Sequence, residues 1–357
     1  MFQEIIIPII YLLSAVFFIL GLKQLSHPRT APKGNTFAAV GMLMAIVGTV
    51  LKTEIISYEL IIVGLIVGGA VGALFAKRVE MTSMPQLVAL FNGFGGLSSL
   101  LVATAEVYKG SLPATFTLST ISLSILIGSI TFSGSLVAFA KLQGLMRGKP
   151  LVFKGTQIFN GLLILAVIVM TVLSILNPDQ LFDYILWIII FSLVVGYYFV
   201  VPIGGADMPV VISLLNSYSG IAAASTGFVL QNHALIVSGA LVGASGLFLT
   251  NIMCKGMNRS LSNVLFSAFG KVDTAITQKT ATGITVKEMS PDNAAYTMQS
   301  AEKVIIVPGY GMAVAQAQHE VRKLSDELEK EGVEVKFAVH PVAGRMPGHM
   351  NVLLAEA

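Results

Sequence analysis

The sequence predicts a membrane all-α bundle of about nine transmembrane helices, followed by a partial α/β unit of Rossmann-like type. Three observations carry that expectation. Residues 1–254 are a nearly continuous series of apolar segments of spanning length, whereas residues 303–357 pair short β-branched runs with one charged, periodic segment. Hydrophobic residues make up 55% of the chain and charged ones 11%, with a mean hydropathy of +0.81, against about 25% charge in ordinary soluble domains. The charge is also divided unevenly: residues 1–254 hold 11 Lys/Arg and 8 Asp/Glu, residues 255–357 hold 11 of each. The net charge of +3 therefore reports membrane orientation and does not point to nucleic acid.

A spanning helix needs roughly 20 apolar residues. Nine segments qualify, at about 4–22, 36–53, 57–76, 86–106, 113–140, 157–176, 181–201, 208–230 and 233–254. The first has neither a basic leader nor a small-residue cleavage site, so it reads as a retained span rather than a signal peptide. One set of loops carries Lys23, Arg29, Lys33, Lys77, Arg78, Lys141, Arg147, Lys149 and Lys154, and the other only Lys52 and Lys109. That asymmetry puts the first set in the cytoplasm, the N-terminus outside, and the tail after an odd number of spans in the cytoplasm, where Lys255 and Arg259 agree with it. The single cysteine, Cys254, forms no internal disulfide framework and offers no metal-ligand spacing.

Small residues recur at helical spacing. Gly64, Gly68 and Gly72 form consecutive GxxxG steps, and Gly239 with Gly243 another, a pattern that lets helix backbones approach closely. The fifth span is rich in hydroxyls: Thr115, Thr117, Ser119, Thr120, Ser122, Ser124, Ser129, Thr131, Ser133 and Ser135. Such groups either bond their own backbone one turn back or line a hydrated path.

Polar groups at membrane depth are costly and default to function. Asn92 and Asn216 lie about seven and nine residues into their spans, hence roughly 10–13 Å deep at 1.5 Å per residue. Each heads a stripe of small or polar residues, Asn92–Gly96–Ser99 and Asn216–Ser219/Gly220–Ala223, placed to face each other across a water-filled seam or to glue helices. Asp207 lies in the glycine-rich turn Gly204-Gly205-Ala206-Asp207-Met208-Pro209, either as a helix N-cap or as a group at the cytoplasmic exit of a path. No histidine lies in any span; His27 and His233 fall in loops.

In the tail, Val304–Val307 meets Pro308-Gly309-Tyr310-Gly311-Met312-Ala313-Val314, a charged helix follows to about Glu331, and a second strand runs Val333–Val339. This order suits the first step of a dinucleotide fold, with Val314 where a third glycine would stand. The second strand ends Ala338-Val339-His340-Pro341 without an acidic residue, which disfavours NAD and leaves room for a 2′-phosphate. The expected organisation is a transmembrane domain over 1–254, a cytoplasmic linker over 255–300 and an incomplete dinucleotide-binding part over 301–357. Two strands and one helix do not make a complete dinucleotide domain, so the sequence reads as a partial product.

These residues resemble the beta subunit of the bacterial proton-translocating NAD(P) transhydrogenases. The likeness rests on Gly128-Ser129-Ile130-Thr131-Phe132-Ser133-Gly134-Ser135 with Lys141-Leu142-Gln143-Gly144, and on the Gly204–Pro209 turn running to Leu215-Asn216-Ser217-Tyr218-Ser219-Gly220. Met253-Cys254-Lys255 with Met257-Asn258-Arg259-Ser260, Val307–Gln316 and His340-Pro341-Val342-Ala343-Gly344-Arg345-Met346-Pro347-Gly348-His349 complete it. The resemblance implies Si/Re-specific hydride transfer from NADH to NADP, driven by protons entering the cytoplasm across the cell inner membrane. NADH would bind an alpha subunit and NADP the tail of this chain, in a dimer of alpha–beta units surrounded by lipid. It implies that Asp207, Asn216 and Asn92 belong to the proton path or its gate. Gly309, Tyr310, Gly311, Ala313 and Val314 would cradle NADP, with Gly344 and Arg345 beside its diphosphate or nicotinamide. Many relatives carry a histidine where this chain has Asn92, which leaves the titrating group to an alpha-subunit helix. Relatives also continue past Ala357, so activity is expected only with the alpha subunit and a complete NADP domain. A rival reading, a channel or secondary transporter with a dinucleotide-sensing tail, requires a charged substrate path and a complete regulatory domain.

Overall fold

The computed structural model describes residues 2–27, 29–51, 58–79, 83–109, 115–146, 155–177, 180–204, 207–256, 261, 289–340, 343–344 and 348–357. Among them stand nine helices long and apolar enough to cross a membrane: α1 (Phe2–Leu25), α2 (Ala31–Val50), α3 (Tyr58–Arg78), α4 (Met84–Val107), α5 (Thr115–Leu142), α6 (Thr156–Leu176), α7 (Leu181–Val200), α8 (Met208–Val229) and α9 (His233–Gly256). Each overlaps one segment expected from hydropathy. Hydropathic length suffices because lipid offers the backbone no hydrogen bonds, so every apolar run must satisfy itself as helix. The chain divides into two compact units, one of residues 1–146, 153–201 and 211–249, the other of 147–152, 202–210 and 250–357.

In the first unit, small residues decide which helices touch. A Cβ on Gly96 of α4 would stand 2.7 Å from the carbonyl oxygen of Gly128 on α5, so those backbones are in direct contact. A Cβ on Gly239 of α9 would stand 2.7 Å from the Gly220 carbonyl of α8. Beneath these contacts lies an apolar core of Leu100, Ile121, Ile125, Val167, Ile185, Ile188 and Val229, drawn from α4 to α8. The two GxxxG patterns meet different ends. Gly239 and Gly243 are used as expected, but α3 has no buried residue, and among the described residues nothing lies within 4 Å of a Cβ placed on Gly64, Gly68 or Gly72.

The second unit holds the buried Asp207 and the pair Val210–Cys254, against which Met253 and Leu261 pack. Its tail begins with α10 (Pro291–Gln299), inside the stretch expected as linker, capped where Ser290 Oγ accepts the amide of Asn293 at 3.3 Å. Then come β1 (Lys303–Ile306), α11 (Tyr310–Ala315), α12 (Gln318–Lys330), β2 (Glu334–Phe337) and α13 (His349–Glu356). β1 and β2 pair in parallel, with Lys303 opposite Glu334 and Ile306 opposite Phe337. The Lys303 ammonium bonds Glu334 at 2.9 Å, and that bond holds the Glu334 carboxyl below its ordinary range. The helix expected to run unbroken to Glu331 is two helices, because Gln316 turns left-handed at φ +50°. α12 buries Leu328 beside Val333, and Met350 of α13 is wholly buried.

Candidate functional site

The polar residues of the first unit converge on α5. Asn92 of α4 is buried and donates from Nδ2 to Ser135 Oγ of α5 at 2.9 Å. Its Oδ1 accepts from Ser219 Oγ of α8 at 2.7 Å. Ser219 Oγ also lies 2.8 Å from the carbonyl oxygen of Asn216. A hydroxyl carries one proton, so these two acceptors share it. Three helices thus meet in one hydrogen-bonded node at about mid-depth, where a hydrogen bond to an amide is stronger than in water.

Farther along α5 lies a second polar contact. Ser124 Oγ is 2.7 Å from Thr226 Oγ1 of α8 and 3.5 Å from the Ser99 carbonyl of α4. Between the two contacts stands Thr131, fully buried, whose Oγ1 has no hydrogen-bond partner among the described residues. Ser122 and Ser129 of α5 and Ser192 of α7 are buried in the same state. The hydroxyls of α5 therefore divide. Ser119, Thr120 and Ser133 bond carbonyls of their own helix, as backbone self-satisfaction requires. Ser124 and Ser135 reach across to other helices, and the orphaned hydroxyls are sites where an ordered water would gain hydrogen bonds.

The stripes headed by Asn92 and Asn216 do not face each other along their length. Gly96 and Ser99 turn to α5, and Gly220 turns to α9, because glycine positions permit the closest backbone approach and capture the helix contacts. Among the described residues, Ser219 bridges the stripes, through its bond to Asn92. The Asn216 side chain is exposed, although residues 208–215 and 217–227 are all buried or half-buried. Asp207 is buried just before α8, its amide donating to the Gly204 carbonyl at 3.0 Å. Lys141, at the end of α5, is also buried, and its Nζ donates to the carbonyl of Val201 at 2.5 Å. Composition could not single out Lys141, since a lysine at a span end ordinarily reaches for the interface.

In the tail, Gly309 is the residue before α11, Tyr310 and Gly311 open that helix, and Ala313 and Val314 lie within it. Gly309 is extended, at φ −126° and ψ −179°. Nothing among the described residues lies within 4 Å of a Cβ on Gly309 or Gly311, so the turn presents open backbone. Gly344 is left-handed at φ +99°; Arg345 lies outside the described residues. His349, the first residue of α13, is buried, and its ring centroid is 6.5 Å from that of Tyr310. In the sequence His349 stands out only as the end of the His340–His349 stretch.

Residues 7–357 match the family described as "PNTB: NAD(P) transhydrogenase beta subunit". Two relatives named NAD(P) transhydrogenase subunit beta, one from Rhodospirillum rubrum and one from a designated strain of that organism, are each 50% identical over 356 residues. The alignment covers 97% of this chain and 76% of each relative. The chain belongs to the NAD(P) transhydrogenase beta subunit family.

Proposed function

We propose that this chain is the beta subunit of a proton-translocating transhydrogenase, coupling hydride transfer from NADH to NADP+ with proton movement across the membrane. The observation that carries the proposal is the buried Asn92–Ser135–Ser219 node in a bundle of spanning helices, on the same chain as a glycine turn open for a phosphate group. NADP(H) is the substrate of the tail. Gly309 and Gly311 leave their backbone uncovered, so a diphosphate can approach the amides of Tyr310 and Gly311 without meeting a side chain. Ala313, Val314, Gly344 and Arg345 complete the nucleotide contacts, and the β1–α11–α12–β2 order supports a Rossmann-like domain over 301–357, behind a linker from 255. The second substrate, NADH, binds the alpha subunit, on which activity depends, and the units pair as a dimer of alpha–beta pairs. Hydride passes with Si/Re specificity from the dihydronicotinamide C4 to the oxidised ring of NADP+, leaving NAD+ and NADPH.

The proton path uses groups that carry and align protons. Asn92 cannot titrate; it holds Ser135 and Ser219 in place, and the Ser219 hydroxyl, which can point to Asn92 Oδ1 or to the Asn216 carbonyl, aligns the path while keeping its own proton. The exposed amide of Asn216 then meets water or a helix of the alpha subunit, which supplies the titrating group. Asp207 is the gate on the cytoplasmic side, with the N-terminus outside. The experiment is reconstitution with the alpha subunit and a complete nucleotide domain, followed by NADH-dependent NADP+ reduction with and without a pH gradient. The proposal predicts a rate that rises when protons flow toward the nucleotide side; a rate indifferent to the gradient contradicts it.

A further inference from the structure

The turn around Gly344 is built on one side chain. At φ +99° Gly344 already excludes ordinary side chains, and a Cβ there would also stand 2.5 Å from Nδ1 of His349 and 2.9 Å from its Cβ and Cγ. The Cβ, Cγ and Nδ1 of His349 therefore pack directly against Gly344. Gly348, the residue before α13, is left-handed as well, at φ +74°. The same ring also meets Tyr310, at a centroid distance of 6.5 Å and an interplanar angle of 52°, within the range of aromatic pairs. Tyr310 is the first residue of α11, between Gly309 and Gly311. One buried side chain, 8% exposed, thus joins two backbone segments far apart in sequence.

We propose that His349 is a positioning residue for NADP(H): its imidazole pins Gly344 and the start of α13 to the Gly309–Gly311 turn, and so sets the affinity for the nucleotide without entering hydride transfer. This rests on the reading that the tail binds NADP(H). A pin made by the chain's own side chain reduces the ordering that nucleotide binding must otherwise impose. Loss of the ring releases both segments and shows as weaker nucleotide binding. The chemical step survives, because His349 is buried against Gly344 and Tyr310 and acts through them rather than on the reacting atoms.

The test uses the assembled enzyme, with alpha subunit and complete nucleotide domain, carrying His349→Leu or His349→Asn. Leucine fills space but lacks ring and polar edge; asparagine keeps a hydrogen-bonding group near the position of Nδ1. For His349→Leu the expected result is a KM for NADP+ raised about tenfold, with the KM for NADH unchanged and kcat not reduced. His349→Asn recovers part of the NADP+ affinity. Without nucleotide, hydrogen exchange at the amides of Tyr310, Gly311 and Gly344 quickens in His349→Leu relative to wild type, while exchange in β1 stays as it was. An unchanged KM for NADP+ with unchanged exchange overturns the proposal, as does a fall in kcat at constant KM. Failure of the wild-type tail to bind NADP+ overturns the underlying reading instead, and the exchange measured without nucleotide tells the two failures apart.

Discussion

An asparagine with both ends of its amide engaged is the smallest unit of the account. Asn92 donates to Ser135 and accepts from Ser219, so it is satisfied without a charge at a depth where a charge is expensive. An imidazole offers the same pair of functions, one donor and one acceptor. Asn92→His should therefore keep at least part of the gradient-driven NADP+ reduction in the assembled enzyme, read as rate against imposed pH difference. Complete loss would show that the site tolerates only the amide. Asp207, buried at the entrance to α8, carries the complementary prediction. Asp207→Asn should lower coupled hydride transfer by about a hundredfold or more, the scale of removing a proton-transfer group, with the helical circular dichroism unchanged. Near-normal coupled rates would reduce Asp207 to a helix cap. Both residues were legible in the sequence, because an amide in an apolar run and a carboxylate in a glycine turn stand out by composition. Their partners were not: Ser219 and Ser135 are two of many hydroxyls, and only the helix contacts choose between them. The outward direction of Asn216 was equally hidden, since spacing fixes a face but not what covers it.

Element by element, glycine spacing gave the same signal for two different situations. On α9, Gly239 is pressed against α8, with the backbone nitrogen of Ala224 at 2.5 Å from the position of a Cβ. Gly239→Ala should therefore destabilise the chain in detergent by about 1–3 kcal/mol, the usual cost of overpacking, visible as a lowered thermal midpoint. Gly68 on α3 faces open space among the described residues, and Gly68→Ala should leave that midpoint unchanged. Equal losses for the two variants would mean that α3 packs in solution as tightly as α9. The spans themselves were legible from apolar length, with ends shifted by a few residues, as at α5, expected over 113–140 and found at Thr115–Leu142. The tail was less so. The break at Gln316 depends on one left-handed residue that no periodicity marks, and α10 lies where polar composition suggested only a linker.

At the scale of the whole molecule, the described residues put nine candidate spans on one chain with a parallel β1–β2 pair. The lysine and arginine asymmetry predicts the orientation. With Cys254 replaced by alanine, a cysteine beside Arg147 should be shielded from an impermeant external thiol reagent, and one beside Lys109 should react; the reverse pattern would invert the topology. The likeness to transhydrogenase beta subunits was legible because its motifs run through both the spans and the tail. What holds the account together is the claim that the node of Asn92, Ser135 and Ser219 is part of the route by which protons reach the nucleotide chemistry. The direct measurement is the number of protons moved per hydride transferred in vesicles holding the assembled enzyme, for wild type and Asn92→Leu. Leucine keeps the branched outline of asparagine but offers no hydrogen bond, so it breaks the node without opening a cavity. The account predicts that proton movement per hydride collapses in Asn92→Leu while NADP(H) still binds. A ratio equal to wild type would make the node a fastening between helices and contradict the account.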